Sequence, residues 1–413
     1  MAKDILIITY KFPPMGGIGT RRWVKFAKYL DKLGYKVHIL TVDYKYVDQA
    51  NWSHDIGNNI AIHKFKSLFP MWFLSEAKNS VIKQFKRFCN FIFNKTFFYI
   101  DIAQYDSKNI LKQAKKIIKE NGITNIIATG HPVSVNYIST YLKIDNPHLN
   151  LIQDFRDNWN DLSNYHYPGG LSFFYQKEKS VYKEFISIYY SDSIINVSDD
   201  LTIMVKNRYK SIADKFVTIN NGYDPDDFSE VDNENNKNFD IVYTGSLYNQ
   251  RIEAVNLILD ALIELNDKFI NENLKIILYT NFDIDKLNSK YKYLLNRNIF
   301  INSFVSPQEV SRIISASTYC LSINSEFASY AFGTKVFDYM ALNKKIIHIS
   351  NGGSLYNLLE DKGQFVMTYN IEKIKKTLLD LKNDYLSKDS DNNVDFKEYS
   401  IESLTKELEK LFR

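Results

Sequence analysis

ILIITYKFPPMGGIGTRRWVKFAKYLDKLGYKVHILTV, residues 5–42, decides the fold class. It opens on an apolar run, Ile5 to Ile8, and turns through prolines and glycines. Apolar residues then recur at helical spacing, with Trp23, Phe26, Ala27, Leu30 and Leu33 on one stripe. Gly34 supplies the stop, and Lys36 to Val42 is a second strand-like run. Strand, helix, strand in succession builds a parallel sheet covered on both faces, because parallel neighbours need a crossover long enough to hold a helix. The alternation continues with runs at Ile123 to Ala128, Leu149 to Asp154, Ser193 to Val197 and Phe216 to Ile219. Between Asp224 and Asn238 the text DPDDFSEVDNENNKN is acidic and polar, the composition of a surface connection. The alternation restarts with Phe239 to Thr244, Leu274 to Tyr279, Asn298 to Ile301, Thr318 to Ile323 and Lys345 to Ile349. The expected domains are therefore 1–223 and 239–398, joined by a linker at 224–238. A C-terminal helix over 399–413, capped by Ser400 and packed through Leu404, Leu408 and Leu411, is expected to return to the first domain.

The chain has 413 residues, long enough for two or three domains with real cores. Its 52 Lys and Arg against 48 Asp and Glu leave a net charge of +4, too small for binding driven by overall charge, so an anionic ligand must meet a local cluster. That argues against nucleic acid as a partner. Cys89 and Cys320 lie far apart with no metal-ligand spacing, which excludes a disulfide framework and fits a reducing cytoplasm. No apolar stretch is long enough to span a membrane, and no secretion signal is recognisable. The 15% aromatic content, mostly Tyr and Phe, reads as compositional background. Two doubly wound α/β domains place ligands at the carboxyl ends of their strands, so a cleft between them is the expected active site.

Three stretches carry candidate chemistry. In TYKFPPMGGIGTRR, residues 9–22, Gly16, Gly17 and Gly19 allow backbone approach to a phosphate or sugar at a helix N-terminus. The spacing lacks the last glycine of a dinucleotide fingerprint. In YTGSLYNQR, residues 243–251, Gly245 and Ser246 form a tight strand exit. Arg251 stands where a helix begins, a place where a cation is unfavourable unless an anion is near, which makes it a diphosphate candidate. In SYAFGTKVFDYMALNKKIIHIS, residues 329–350, Gly333 and Thr334 open a helix whose first turn carries Lys335. Asp338 follows Thr334 by four residues, about 6 Å along the axis. A diphosphate on the amides of Gly333 and Thr334, with ribose hydroxyls on Asp338, matches these dimensions.

With these residues in place, the chain resembles retaining glycosyltransferases of the GT-B fold, family 4, along nearly its whole length. FPPMGGIGTRR is similar to that family's amino-terminal glycine loop, and DFRDNW at 154–159 resembles the DFRDPW sequence of one bacterial branch. NNGYDPDDF at 220–228 resembles its NGYD element, and YTGSLYNQR and GTKVFDYMALNKKII its two donor-site segments. The resemblance implies a nucleotide-sugar donor, UDP-linked on family frequency, held mainly by Gly17, Gly245, Ser246, Arg251, Gly333, Thr334, Lys335 and Asp338. It implies a glycan acceptor, lipid-linked and bound for a bacterial surface polysaccharide, near Gly16, Arg21, Asp154, Arg156 and Asp157. Arg251 and His131 are the catalytic candidates, with no metal and no cofactor. The chain departs from the family in two places. Matching the second of its paired glutamates to Asp338 puts Tyr330 at the first, with Glu326 out of register, and RIEAVN lacks the lysine that often follows the donor-site arginine.

Each candidate has a structural alternative. His131, in IIATGHPVS, is a sugar contact or a capping residue, and Asp154, Arg156 and Asp157 bind acceptor hydroxyls or form an ion-pair network. Asp283 and Asp285 form a DxD that starts a helix, where the cap reading outweighs metal binding. Residues 68–98 mix Lys83, Lys86, Arg87 and Lys95 with Trp72, Phe85, Phe88, Phe91, Phe93 and Phe97, which suits either a peripheral contact with an anionic membrane or burial in the first domain. The functional rivals are a sugar-nucleotide epimerase of the same architecture and a non-catalytic nucleotide-sugar-binding protein.

Overall fold

The computed structural model describes residues 3–45, 52–70, 79–95, 101–160, 171–229, 238–247, 250–326, 328–387 and 394–413. The chain divides into two compact units, one of residues 1–220 with Leu404–Arg413, the other Asn221–Ser403.

The first unit holds seven parallel strands: β1 (Lys3–Thr9), β2 (Tyr35–Val42), β3 (Ile60–Phe65), β4 (Asn125–Thr129), β5 (Asn150–Phe155), β6 (Ser193–Asn196) and β7 (Phe216–Thr218), in the order β3-β2-β1-β4-β5-β6-β7. Its helices are α1 (Ile18–Lys32), α2 (Ser80–Lys95), α3 (Ser107–Asn121), α4 (Ser134–Asp145), α5 (Leu171–Tyr190) and α6 (Asp199–Arg208). Strands β1, β4 and β5 are buried along nearly their whole length because helices cover both faces, so their sequences read as continuous apolar runs. Helix α1 buries Trp23, Phe26, Ala27 and Leu30 as its period requires, while Leu33 falls at the helix end and is exposed. The following Gly34 takes φ 87, a left-handed turn that suits glycine.

The second unit holds six parallel strands: β8 (Asp240–Thr244), β9 (Lys275–Tyr279), β10 (Ile299–Asn302), β11 (Tyr319–Ile323), β12 (Lys345–Ile349) and β13 (Phe365–Met367), in the order β10-β9-β8-β11-β12-β13. Helices α7 (Gln250–Leu265), α8 (Lys268–Asn273), α9 (Pro307–Ala316), α10 (Thr334–Ala341), α11 (Ser354–Asp361) and α12 (Ile371–Ser387) cover it. One core packs α7 and α12 on one face of the sheet, and another packs α10 and α11 on the other. Helix α13 (Ile401–Glu409) starts in this unit, where the Ser400 hydroxyl accepts from the Ser403 amide. The chain then rejoins the first unit. There Asn125 exchanges hydrogen bonds with the Arg413 backbone, Asn150 donates to the Leu411 carbonyl at 2.8 Å, and Arg413 pairs with Asp192 at 2.8 Å.

In each sheet the order reverses once, between β1 and β4 in the first unit and between β8 and β11 in the second. The connections leaving those four strands diverge at their carboxyl ends and leave a crevice, where open α/β sheets take their ligands. Every glycine segment singled out in the sequence leaves one of these strands.

Candidate functional site

In the first unit the glycine turn after β1 is fixed from beneath. Gly17 begins α1 at φ 89, a backbone conformation that favours glycine, and the Thr20 hydroxyl donates to the Gly16 carbonyl at 3.1 Å. Below them Asp154, at the end of β5, is fully buried. Its carboxylate accepts from Trp23 Nε1 at 2.7 Å, from the Thr129 hydroxyl at 2.9 Å and from Arg22 Nη2 at 3.1 Å, with Arg156 Nε at 3.6 Å. Arg22 also donates to the carbonyls of Ile219 and Asn220, and Arg156 to that of Gly19.

Asp154 and Arg156 thus stand in an ion-pair network, the alternative stated above. With Arg22 they join the glycine turn to β4, β5 and the end of β7. Arg21 is likewise buried, with its guanidinium over the Trp52 ring at 5.2 Å. Arg22, the organising cation of this network, escaped the sequence reading because its carboxylate partner lies 132 residues away.

His131 and Asp157 are accessible at this edge. His131, after β4, places Nε2 3.2 Å from an Asp157 carboxylate oxygen. The hydrogen bond from His131 holds the Asp157 carboxyl below its ordinary range. Asp101 lies behind, accepting from the amides of Ser134 and Ala103, and burial raises its carboxyl.

In the second unit the two donor segments meet. Gly245 donates its amide to the Tyr279 carbonyl at 2.8 Å, and the Tyr243 hydroxyl donates to the Ser246 carbonyl at 3.0 Å, which closes the turn after β8. Arg251, in the first turn of α7, reaches the same carbonyl at 3.5 Å. Lys335, in the first turn of α10, lays its ammonium over the Tyr243 ring at 5.1 Å. A Cβ on Gly245 would fall 1.5 Å from that nitrogen, so glycine lets the ammonium lie against the turn and a larger residue would displace it. Burial, reinforced by the Arg251 charge and opposed by Asp338, lowers Lys335 to about 8. Helix α10 starts at Gly333 with no side-chain cap and no acidic residue in its first turn. Two cations and a positive helix end thus converge where the sheet order reverses, an arrangement that favours an anion with at least two charges.

Lys335 comes to this place from another segment than Arg251. Asp338 stands half-buried one turn into α10. At the loop after β11 the exposed carboxylate is Glu326, which accepts from Asn351 Nδ2 at 3.3 Å. Asp283 accepts from the Asp285 amide at 3.2 Å and caps a short 3-10 turn, so the DxD spacing has a structural use. Gly17, His131 and Asp157 are thus grouped in one unit, and Gly245, Ser246, Arg251, Gly333, Thr334, Lys335 and Asp338 in the other.

The sequence matches no protein-family model and no curated protein. The fold has close parallels. A glycosyltransferase from Rickettsia africae is 16% identical with a TM-score of 0.57, covering 99% of this chain and 98% of that one. HepE of Anabaena, solved in complex with UDP-glucose, is 11% identical with a TM-score of 0.60 over 98% of both chains. A UDP-N-acetylglucosamine 2-epimerase is 8% identical with a TM-score of 0.54, covering 98% of this chain and 93% of that one. The two Rossmann-like parallel-sheet units, seven- and six-stranded with their helices, are those of the GT-B glycosyltransferase fold.

Proposed function

We propose that this protein is a retaining glycosyltransferase of family 4 that moves a sugar from a nucleotide diphosphate donor, UDP-linked as the first choice, to a glycan acceptor. The observation that carries this reading is the Arg251–Lys335 pair beside the start of α10. As the anomeric C–O bond of the donor breaks, negative charge grows on the leaving diphosphate, and these cations and the amides of Gly333 and Thr334 are placed to stabilise it. The acceptor oxygen bonds to the anomeric carbon on the face the diphosphate leaves, and its proton passes to the departing phosphate. No metal is required, since the two side-chain cations meet the phosphate charge. His131, held by Asp157 at 3.2 Å, is assigned to the donor sugar. The acceptor is lipid-linked, in bacterial surface polysaccharide synthesis on the inner face of the cell membrane. The protein is cytoplasmic in this reading and meets that membrane peripherally through residues 68–98.

A second reading, sugar-nucleotide epimerisation, is favoured by the likeness to the epimerase structure. Incubation with UDP-sugars and a glycan acceptor followed by mass analysis separates the two. Transfer liberates UDP, whereas an epimerised sugar keeps its nucleotide.

Asp338→Ala weakens nucleotide binding by about 1–3 kcal/mol in calorimetry, the value of charge-assisted hydrogen bonds to ribose. Unchanged affinity in a folded variant removes Asp338 from the site. Lys335 gives binding a pH signature. Free Lys335 sheds its proton above about pH 8. A bound diphosphate favours the ammonium form, so nucleotide binding at pH 9 takes up a proton and affinity falls as pH rises further. Calorimetry in buffers of different ionisation enthalpy reads that uptake, and Lys335→Gln abolishes it.

A further inference from the structure

Helix α5 divides its residues by face. Ser180, Glu184, Ser187 and Ile188 are buried, whereas Val181, Tyr182, Phe185 and Tyr189, three or four residues apart, are exposed, Tyr182 to 59% and Tyr189 to 53%. An exposed run of this kind needs a reason, because monomeric soluble surfaces scatter their large apolar groups singly. The buried face is specified by polar contacts as well as by the apolar packing of Ile188 against Phe155 and Trp159 in the core. Glu184 pairs with Arg208 at 3.1 Å and accepts from the Tyr209 hydroxyl at 2.9 Å. The orientation of the helix, and so the outward aromatic stripe, is therefore fixed.

Cations flank the stripe. Lys183 lies over the Tyr137 ring at 5.0 Å, and Lys215 lies over the Tyr189 ring at 5.9 Å while donating to the carbonyls of Tyr189 and Ser191. Lys177 and Glu178 rim an open hollow of about 470 Å³ whose floor is Val181, Tyr182 and Phe185. Lysines 177, 179, 183 and 215 thus stand along the stripe, with the exposed carboxylates of Glu178 and Asp214 beside them, an excess of positive charge. Tyrosine and phenylalanine rings with lysine stems laid along them are the composition of a surface that enters the headgroup layer, apolar bodies inward and polar tips at the wet level.

The same unit carries a second surface of this type. On α2, Val81, Ile82, Phe85 and Phe88 are exposed, Phe85 to 54% and Phe88 to 60%, beside exposed Lys83 and Arg87. Lys86, expected among the surface cations, is buried there; residues 71–78 and 96–98 and the side chains of 90–95 lie outside the described residues. A membrane bound through a single weak element is released readily, and two elements on one unit raise the residence together.

We infer that the outward aromatic stripe of α5 is a second contact of this protein with an anionic lipid bilayer, separate from α2. It rests on the membrane attachment proposed above and adds a surface to it. The test is co-sedimentation of the full chain at low salt with vesicles of phosphatidylcholine containing about a third phosphatidylglycerol. Tyr182→Ser/Phe185→Ser is expected to lower the bound fraction's partition coefficient at least ~5-fold. Tyr182→Glu, a single change at an exposed position, does the same and guards against misfolding of the double variant. Phe85→Ser/Phe88→Ser is compared in parallel. If both α5 variants bind as wild type while the α2 variant is released, the inference about α5 is overturned and the attachment stands. If the wild type ignores these vesicles, both fall. If Tyr182→Glu instead dissolves a self-association of the protein without lipid, the stripe is a contact between copies and the inference is overturned.

Discussion

Arg251→Ala lowers the turnover of the nucleotide-sugar donor by ~10²–10³-fold, and weakens donor binding much less. The asymmetry follows from when the charge appears. In the bound donor the diphosphate charge is shared with the sugar ester, and Lys335 and the start of α10 still hold it once Arg251 is gone. In the transition state the second phosphate gains negative charge, and a positioned guanidinium contributes most there. Arg251 reaches the turn after β8, its Nη1 3.5 Å from the Ser246 carbonyl. Arg251→Lys restores part of the rate, since it keeps the charge and loses the planar fork. Single-turnover rates and calorimetric affinities check this prediction. Equal losses in both quantities make Arg251 a binding residue only.

Asp154→Ala destabilises the protein by about 3–5 kcal/mol, through the loss of a buried anion. The carboxylate is fully buried between Arg22 and Arg156, and the Arg22 side chain is itself nearly inaccessible. Removing the anion leaves those cations facing each other with no compensating charge. It also strands the Trp23 indole, whose hydrogen bond ends on that carboxylate. Asp154→Asn keeps an acceptor and loses the charge, so it falls between the two. Urea unfolding read at Trp fluorescence measures the change. A loss under about 1 kcal/mol would mean that the arginines find other partners.

The sequence disclosed those elements whose burial is continuous. The central strands β1, β4, β8 and β11 read directly as apolar runs, and α1 declared itself by a stripe and a terminal glycine. Of the four edge strands, β7 and β10 were read and β3 and β13 were not. β3, IAIHKF, carries His63 and Lys64 and is largely half-exposed, and β13 has three residues, so neither presents a sustained apolar signal. At the site, glycines and helix starts were legible because their chemistry is local. Pairings across the fold were not. Arg22 with Asp154 and Lys335 with Gly245 are tertiary facts, and Asp154 stood among acceptor candidates because a strand-end carboxylate carries no mark of its own burial. The outward rings of α5 were lost for another reason. Their Tyr and Phe blended into a chain with 29 Tyr and 28 Phe, where one more aromatic pair carries little information.

The central claim is that the second unit holds a nucleotide diphosphate between the turn after β8 and the start of α10. Crystals soaked in UDP test it most directly, with GDP and ADP soaks alongside. The account predicts density for the diphosphate against Arg251, Lys335 and the amides of Gly333 and Thr334, with ribose oxygens at Asp338. A nucleotide seated at the glycine turn of the first unit instead, or none bound at saturating concentration of any of the three, would contradict it.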